Sequence, residues 1–203
     1  RSQAMIFLDM APESIGDPIN ADGYISVEEM RRYKADVTYL LAYNYFLLFE
    51  LYGPTPIIPE TADPSDENVD YARASVDEMV GHIDQLLESV INGEYRDDLP
   101  ETIKTGTGQD YTHDNSMYNL REILRPTKAA ALALRARLWV YAASPLFNGG
   151  YREALSLTNK DGKRLFPDRD DNKWQTAKKH LEALLRFAES HGMALYYSED
   201  RDP

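Results

Sequence analysis

A run of small side chains limits the fold of this chain more than any other feature. Residues 126–149 read PTKAAALALRARLWVYAASPLFNG. Alanine has the highest helix propensity and no side-chain entropy to lose. Alanines spread through a helix also let its backbone come close to its neighbours. Pro126 suits a first-turn position, because its missing N–H would have no partner there. The helix is expected to stop near Ala143, because Pro145 disfavours a helical conformation at Ser144. A short aromatic-aliphatic-Asn-Gly loop follows. A helix of this kind needs other helices around it.

The rest of the chain supplies them. Ser26 and Glu29 have capping-box spacing, in which the hydroxyl accepts a backbone N–H and the carboxylate reaches back. A long helix is predicted from there to Gly53-Pro54, where glycine and proline end it. Its half from Val37 onward is apolar nearly all round, so burial on more than one side is expected, with Tyr33, Tyr39, Tyr43, Tyr45 and Tyr52 as packing residues. Ser75 and Glu78 repeat the cap spacing. Val76, Met79, Val80, Ile83, Leu86, Leu87 and Val90 then recur at helical period up to Asn92-Gly93. A fourth helix is predicted over 173–190, with Trp174, Ala177, Leu181, Leu184, Leu185 and Ala188 as its buried face. A short helix near Met5–Met10 and a helical turn near Tyr151–Leu157 complete the expectation.

No segment alternates at period two over the length of a strand. Ile57-Ile58 and the stretch from Ala194 to Tyr197 read as short extended pieces at most. The predicted fold is mostly α: helical hairpins in a single region over 1–203, with long irregular loops. Those loops, 53–74, 92–125 and 144–172, far exceed the roughly 2–8 residues usual between helices, and long connections tend to carry function. Helix starts recur at a loose period near fifty, as in irregular solenoids. The chain opens at RSQAMIFLDM without an initiating Met and reads as a piece of something longer.

The formal net charge of −12 disfavours nucleic acid as a partner and docking to an anionic membrane through a basic patch. With no cysteine, disulfides and thiolate metal sites are excluded. The uncharged run Val37–Phe49 would span roughly 20 Å as a helix, short of the about 30 Å of a bilayer core. The cations from Lys160 to Lys179 lie among acids and read as a mixed, solvated face.

Few residues suggest chemistry. Asn20 to Glu29 resembles part of a calcium-binding loop, but Pro18 would stand where the first carboxylate belongs. A turn followed by a helix cap explains the same letters. His82, His113, His180 and His191 show no metal-ligand spacing. No phosphate loop or nucleophile elbow is present, and no cofactor is predicted. A glycosidase needs two facing carboxylates, which sequence alone does not place.

The tyrosines are more informative. Tyr71, Tyr95, Tyr111, Tyr118 and Tyr151 stand in or beside the long loops, in company with Asn115, Asn119, Gln109 and Asp110. A tyrosine offers an apolar ring and a polar tip, which suits the C–H faces and hydroxyls of a sugar. Tyr71, Tyr111, Tyr118, Tyr151 and Asn115 are the candidate ligand-binding residues. The alternative is that loop tyrosines pin their own loops to the helices.

Five blocks in fixed order resemble the SusD/RagB family of outer-membrane nutrient-binding lipoproteins. They are RSQAMIFLDM, RRYKADVTYLLAYNYFLLFELYGPTPII, ARASVDEMVGHIDQLL, PTKAAALALRARLWVYAASPLFNGG and KWQTAKKHLEALL with HGMALYY. The fourth is the nearest match. Thr38, Tyr39, Tyr43 and Asn44 depart from the usual aromatic pattern of the second block. Members of that family are more than twice this length, and the matched blocks are scaffold.

The resemblance implies a tetratricopeptide-like frame on the cell surface, lipid-anchored in the outer membrane through a segment absent here. Such a protein caps a SusC-like TonB-dependent barrel, binds an oligosaccharide (or a peptide) and delivers it inward without catalysis. A helical protein-interaction scaffold and a carbohydrate-active hydrolase are the alternative functions.

Overall fold

A computed structural model describes residues 2–19, 23–58, 70–102 and 125–195. Among them are five α-helices: α1 (Ser2–Met10), α2 (Val27–Tyr52), α3 (Val76–Ile91), α4 (Lys128–Ala143) and α5 (Asn172–Ser190), with a 3-10 turn at Arg152–Ser156. No strand occurs among the described residues. Two isolated antiparallel bridges, Ile15 with Ile25 and Thr158 with Arg164, close short loops. The fold is mostly α, as the helical periodicity predicts.

Local chemistry accounts for the helix ends. Ser75 and Glu78 form a complete capping box. Ser26 accepts from the Glu29 N–H, but the Glu29 carboxylate instead takes the Tyr33 hydroxyl at 2.5 Å. At the start of α4 the cap is Thr127, whose hydroxyl accepts from the Ala130 N–H at 3.2 Å. Pro126 therefore precedes the cap and does not occupy the first turn. Gly53, at φ 69°, ends α2 while its N–H bonds the Phe49 carbonyl.

Side-chain contacts fix the direction of each helix. Tyr45 of α2 meets His82 of α3 edge-on at 4.7 Å, while Arg31 near the start of α2 reaches Asp98 just past α3 at 2.7 Å. The two helices are therefore antiparallel. Asp84 of α3 binds Arg135 and Trp139 of α4, and Glu88 binds Arg135, so α3 and α4 are antiparallel as well. Trp139 stacks on His180 of α5 at 6.0 Å. Glu101, beside the start of α4, accepts from His191 at the end of α5. Four helices thus alternate in direction, each laid against the next, and α1 packs against α2.

The core lies where α2, α3 and α4 meet. Phe46, Phe49, Val76, Met79, Ile83, Leu87, Val90 and Leu138 are fully enclosed. Of the predicted α3 stripe, only Leu86 stays partly exposed. Ala131 and Ala142 are fully buried, and these small residues allow α4 its close packing.

Two predicted faces are corrected. On α2, Tyr45 is buried, but Leu40, Tyr43, Leu48, Leu51 and Tyr52 are exposed. The helix is apolar on two sides, and its described neighbours cover one. On α5, Ala177 is buried, whereas Trp174, Leu181 and Leu185 face solvent. The same reason holds there, because among the described helices α5 packs along α4, and only its Lys173 reaches α3, at Asp77.

Candidate functional site

The segment after α4 is held by its own motif. Phe147 inserts into the core, with its ring 4.4 Å from that of Phe49. Asn148, buried, donates to the Asp170 carbonyl and accepts from the Asp170 N–H, both at 2.9 Å. Gly149 takes φ 75°, and a Cβ there would lie 2.4 Å from the Arg169 backbone nitrogen. These contacts explain the Ser-Pro-Leu-Phe-Asn-Gly-Gly sequence as the clamp that seats residues 144–172 on the helices.

Within that segment, residues 157–165 form a small loop closed by the Leu165 N–H to Leu157 carbonyl bond at 3.0 Å. The Val76 N–H, at the start of α3, donates to the Leu165 carbonyl at 2.8 Å. The loop is thereby fixed beside residues 70–74. Asn159 donates to the Arg73 carbonyl at 2.7 Å. Arg73 in turn donates to the Pro54 carbonyl at 2.6 Å and to that of Tyr52 at 3.2 Å, satisfying acceptors at the end of α2.

Between these two strips of chain lies a groove of about 390 Å³, lined by Asp70, Tyr71, Ala72, Arg73, Asn159, Lys160 and Asp161. It runs into an adjoining depression of about 320 Å³ that shares Ala72, Arg73, Asn159 and Asp161 and adds Ile57, Glu78 and Lys163. Polar groups line the groove together with Tyr71. Lys160 bridges to Asp70 at 2.6 Å and holds that carboxyl below the usual carboxylate range. Lys163 binds Glu78, and this bond together with the Ser75 N–H brings the Glu78 carboxyl down to about 2. Both carboxylates are therefore ionised at neutral pH and are acceptors, not proton donors.

Of the predicted ligand-binding residues, Tyr71 lines the groove. Tyr151 is exposed immediately before the 3-10 turn and does not line it. Tyr111, Tyr118 and Asn115 lie outside the described residues, as does His113. Tyr95 serves its own loop instead, half-buried beneath the Arg31 guanidinium at 5.7 Å. Arg73, Asn159, Lys160 and Asp161 were not among the expected site residues. Asn159, Lys160 and Asp161 stand about ninety positions from Tyr71, at the edge of a run of mixed charge, and Arg73, two positions from Tyr71, sits in no pattern that marks it.

A larger cavity, of about 430 Å³, opens between α1, α2 and α3 and is lined by Met5, Leu8, Leu41, Ile57 and Leu86 with Asp9, Tyr45 and His82. Most of its wall is apolar. The Tyr45 hydroxyl is buried and has no hydrogen-bond partner among the described residues. This lining suits mainly apolar matter, with Asp9, Tyr45 and His82 as its polar groups.

Other buried charge is structural. Burial pushes the Asp84 carboxyl up, but the Arg135 fork and the Trp139 indole N–H outweigh it and hold the group below its ordinary value. Burial, reinforced by the Arg135 charge, lowers the His180 imidazole. Glu101 and the Phe187 carbonyl raise that of His191. The cluster ties α3, α4 and α5 together and opens into neither groove nor cavity. Among the described residues, no group of three acids or histidines could hold a metal ion, and no helix is long and apolar enough to cross a membrane.

No protein-family model matches the chain, and no curated protein does. Its structure is similar to that of BT4246 from Bacteroides thetaiotaomicron, with a TM-score of 0.72 and 27% identity over 98% of this chain and 30% of that one. A selenomethionine form of BT4246 gives 0.64 and 26% identity over 94% and 27%. The chain spans less than a third of the length of these solved structures, and the likeness establishes a shared helical fold.

Proposed function

We propose that this chain is the helical frame of a surface glycan-binding protein of the SusD/RagB type. In this reading it holds an oligosaccharide without catalysis, sits lipid-anchored in the outer membrane and passes its ligand to a SusC-like TonB-dependent barrel. The order of five sequence blocks motivates the family.

The observation that carries the binding role is the Tyr71 groove. An aromatic ring is presented among amide, guanidinium, ammonium and carboxylate groups, on backbone anchored to α2 and α3. Such a surface combines a stacking face with fixed hydrogen-bonding groups and little ordering cost on binding. The lowered Asp70 and Glu78 carboxyls suit acceptors for sugar hydroxyls and are poor candidates for a general acid, which needs a raised pKa.

A glycan array on the polypeptide as its gene encodes it, followed by calorimetry on the best ligand, tests this reading. Binding without product release is expected, with Tyr71→Ala weakening it about tenfold, the scale of a lost stacking contact. Tyr151→Ala should have a smaller effect. Affinity unchanged in Tyr71→Ala would remove the groove from the account. Capture from outer membranes that recovers no barrel protein would remove the delivery step.

A further inference from the structure

The cavity between α1, α2 and α3 is a second concave site, distinct from the Tyr71 groove. The two share no described lining residue, and Ile57 alone belongs both to the cavity and to the depression beside the groove. Met5 and Leu8 of α1, Leu41 of α2, Leu86 of α3 and Ile57 form its apolar wall. Leu8, Ile57 and Leu86 are only partly buried, so this wall can be reached from solvent. At about 430 Å³ the space lies within the range of small-molecule pockets.

Its polar groups restrict what can enter. Tyr45 is 2% exposed, and its hydroxyl has no hydrogen-bond partner among the described residues. The ring stands edge-on to His82 at 4.7 Å, a contact that holds it in the wall. A buried hydroxyl in that state is destabilising, because it has given up water and gained no bond. Phenylalanine avoids the penalty, and α2 uses it at the neighbouring buried positions Phe46 and Phe49. A hydroxyl kept at Tyr45 therefore points to a partner that the described helices do not supply. Asp9, exposed, is the one carboxylate of the lining, and no lysine or arginine joins it among the described residues. A bound anion would lose its hydration, find no opposite charge and face Asp9.

We propose that this cavity binds an uncharged aromatic molecule carrying one hydrogen-bonding group, its apolar body against Leu8, Leu41 and Leu86 and that group on the Tyr45 hydroxyl. Met5 suits an aromatic guest, because a thioether adapts its shape and makes favourable contacts with ring edges. The same molecule bearing a carboxylate or sulfonate is rejected. The site is additional to the Tyr71 groove, and glycan binding there neither requires it nor follows from it.

Two dyes with one ring system separate these contributions. N-phenylnaphthylamine is neutral and has a single N–H, which can donate to the Tyr45 hydroxyl oxygen. Anilinonaphthalene sulfonate adds one anionic group to the same rings. Both brighten when water is excluded. In the polypeptide as its gene encodes it, the neutral dye is expected to fill one saturable site, and to bind it at least about tenfold more tightly than the sulfonate does. Leu8→Trp fills the space from its partly exposed edge and should abolish the site. Tyr45→Phe keeps the ring and removes the hydroxyl. It should weaken the neutral dye about fivefold to tenfold, while the dye-free protein unfolds at the same or a higher urea concentration. This second variant carries the test if Leu8→Trp does not fold. Leu185→Ala, in the exposed apolar surface of α5, should leave the dye in place. No saturable site, equal affinity for the two dyes, or a neutral dye indifferent to Tyr45→Phe would overturn the inference. Loss of the dye in Leu185→Ala would do the same, by placing it on the outer surface.

Discussion

The Asn148 side chain clasps the backbone of Asp170 at both ends: Oδ1 accepts from the N–H, and Nδ2 donates to the carbonyl, each at 2.9 Å. One buried amide thus joins the end of α4 to the approach of α5, 22 residues later. The tie determines where the intervening segment can lie, including the loop that walls the Tyr71 groove.

Asn148→Ala removes both bonds and leaves two backbone groups of Asp170 to find other partners. Asp170 is exposed and water can take up its backbone groups, so the loss is the net worth of two hydrogen bonds, roughly 1–3 kcal/mol together, and the variant should unfold at lower urea by that amount. Amide exchange at Asp170 should quicken while exchange in α3 stays slow. If Asp170 exchanges no faster in the variant, the clasp is not what holds the segment.

Gly149 and Gly162 share positive φ but not surroundings. A Cβ at Gly162, φ 84°, would meet nothing within 4 Å, so Gly162→Ala carries backbone strain alone, about 1 kcal/mol. At Gly149, φ 75°, the Cβ would press against the Arg169 backbone at 2.4 Å. Gly149→Ala should therefore cost at least about twice as much in thermal or urea unfolding. Equal losses at the two positions would contradict the close approach of residues 149 and 169.

Much of this architecture was legible in the sequence because helix signals are local. Ser75, Glu78 and Gly53 mark ends through contacts a few residues away, and the period of α3 names its buried face. Thr127 displaced Pro126 as the relevant end of α4 because a hydroxyl supplies an acceptor that proline lacks. The exposed faces of α2 and α5 are not legible for a different reason: periodicity reveals which side chains are apolar, not how many neighbours exist to cover them. The groove was least legible. Its place in a long loop marks Tyr71, but Asn159 and Lys160 reach it through the Leu165–Val76 backbone tie, a contact between distant segments that leaves no spacing to read. Thr38 and Asn44, polar within an apolar helix, bond the carbonyls of Lys34 and Leu40 one turn back, which explains their presence.

Charge pairs in this chain differ widely in worth. Asp84 accepts from Arg135 twice and from the Trp139 indole, all at 2.7 Å and mostly out of water. Asp84→Ala leaves Arg135 with Glu88 alone and strands the indole N–H, so a loss of about 3 kcal/mol is expected. Asp70 pairs with Lys160 where both side chains are at least 80% exposed. Asp70→Ala should leave unfolding unchanged within error, because solvent and salt screen such pairs. A double-mutant cycle with Arg135→Ala checks the first statement, and similar costs for the two aspartate variants would refute the contrast.

Glu78 should give stability a defined dependence on pH. Its folded carboxyl titrates at about 2, against 4.5 for a free glutamate, through Lys163 first and the Ser75 N–H second. Folding therefore favours the ionised form. The stabilisation is fully present above pH 4.5, drains away as pH falls, and is gone below about pH 2. The side chain is nearly half exposed, so its contribution is discounted for screening to roughly 1 kcal/mol. Glu78→Gln keeps an acceptor for Ser75 but loses the charge facing Lys163. Urea unfolding of both proteins between pH 7 and pH 2 should show wild type ahead at neutral pH and the two curves converging at the acid end. A gap that stays constant across this range would mean that the carboxylate charge contributes nothing, and that the cap acts through hydrogen bonding alone.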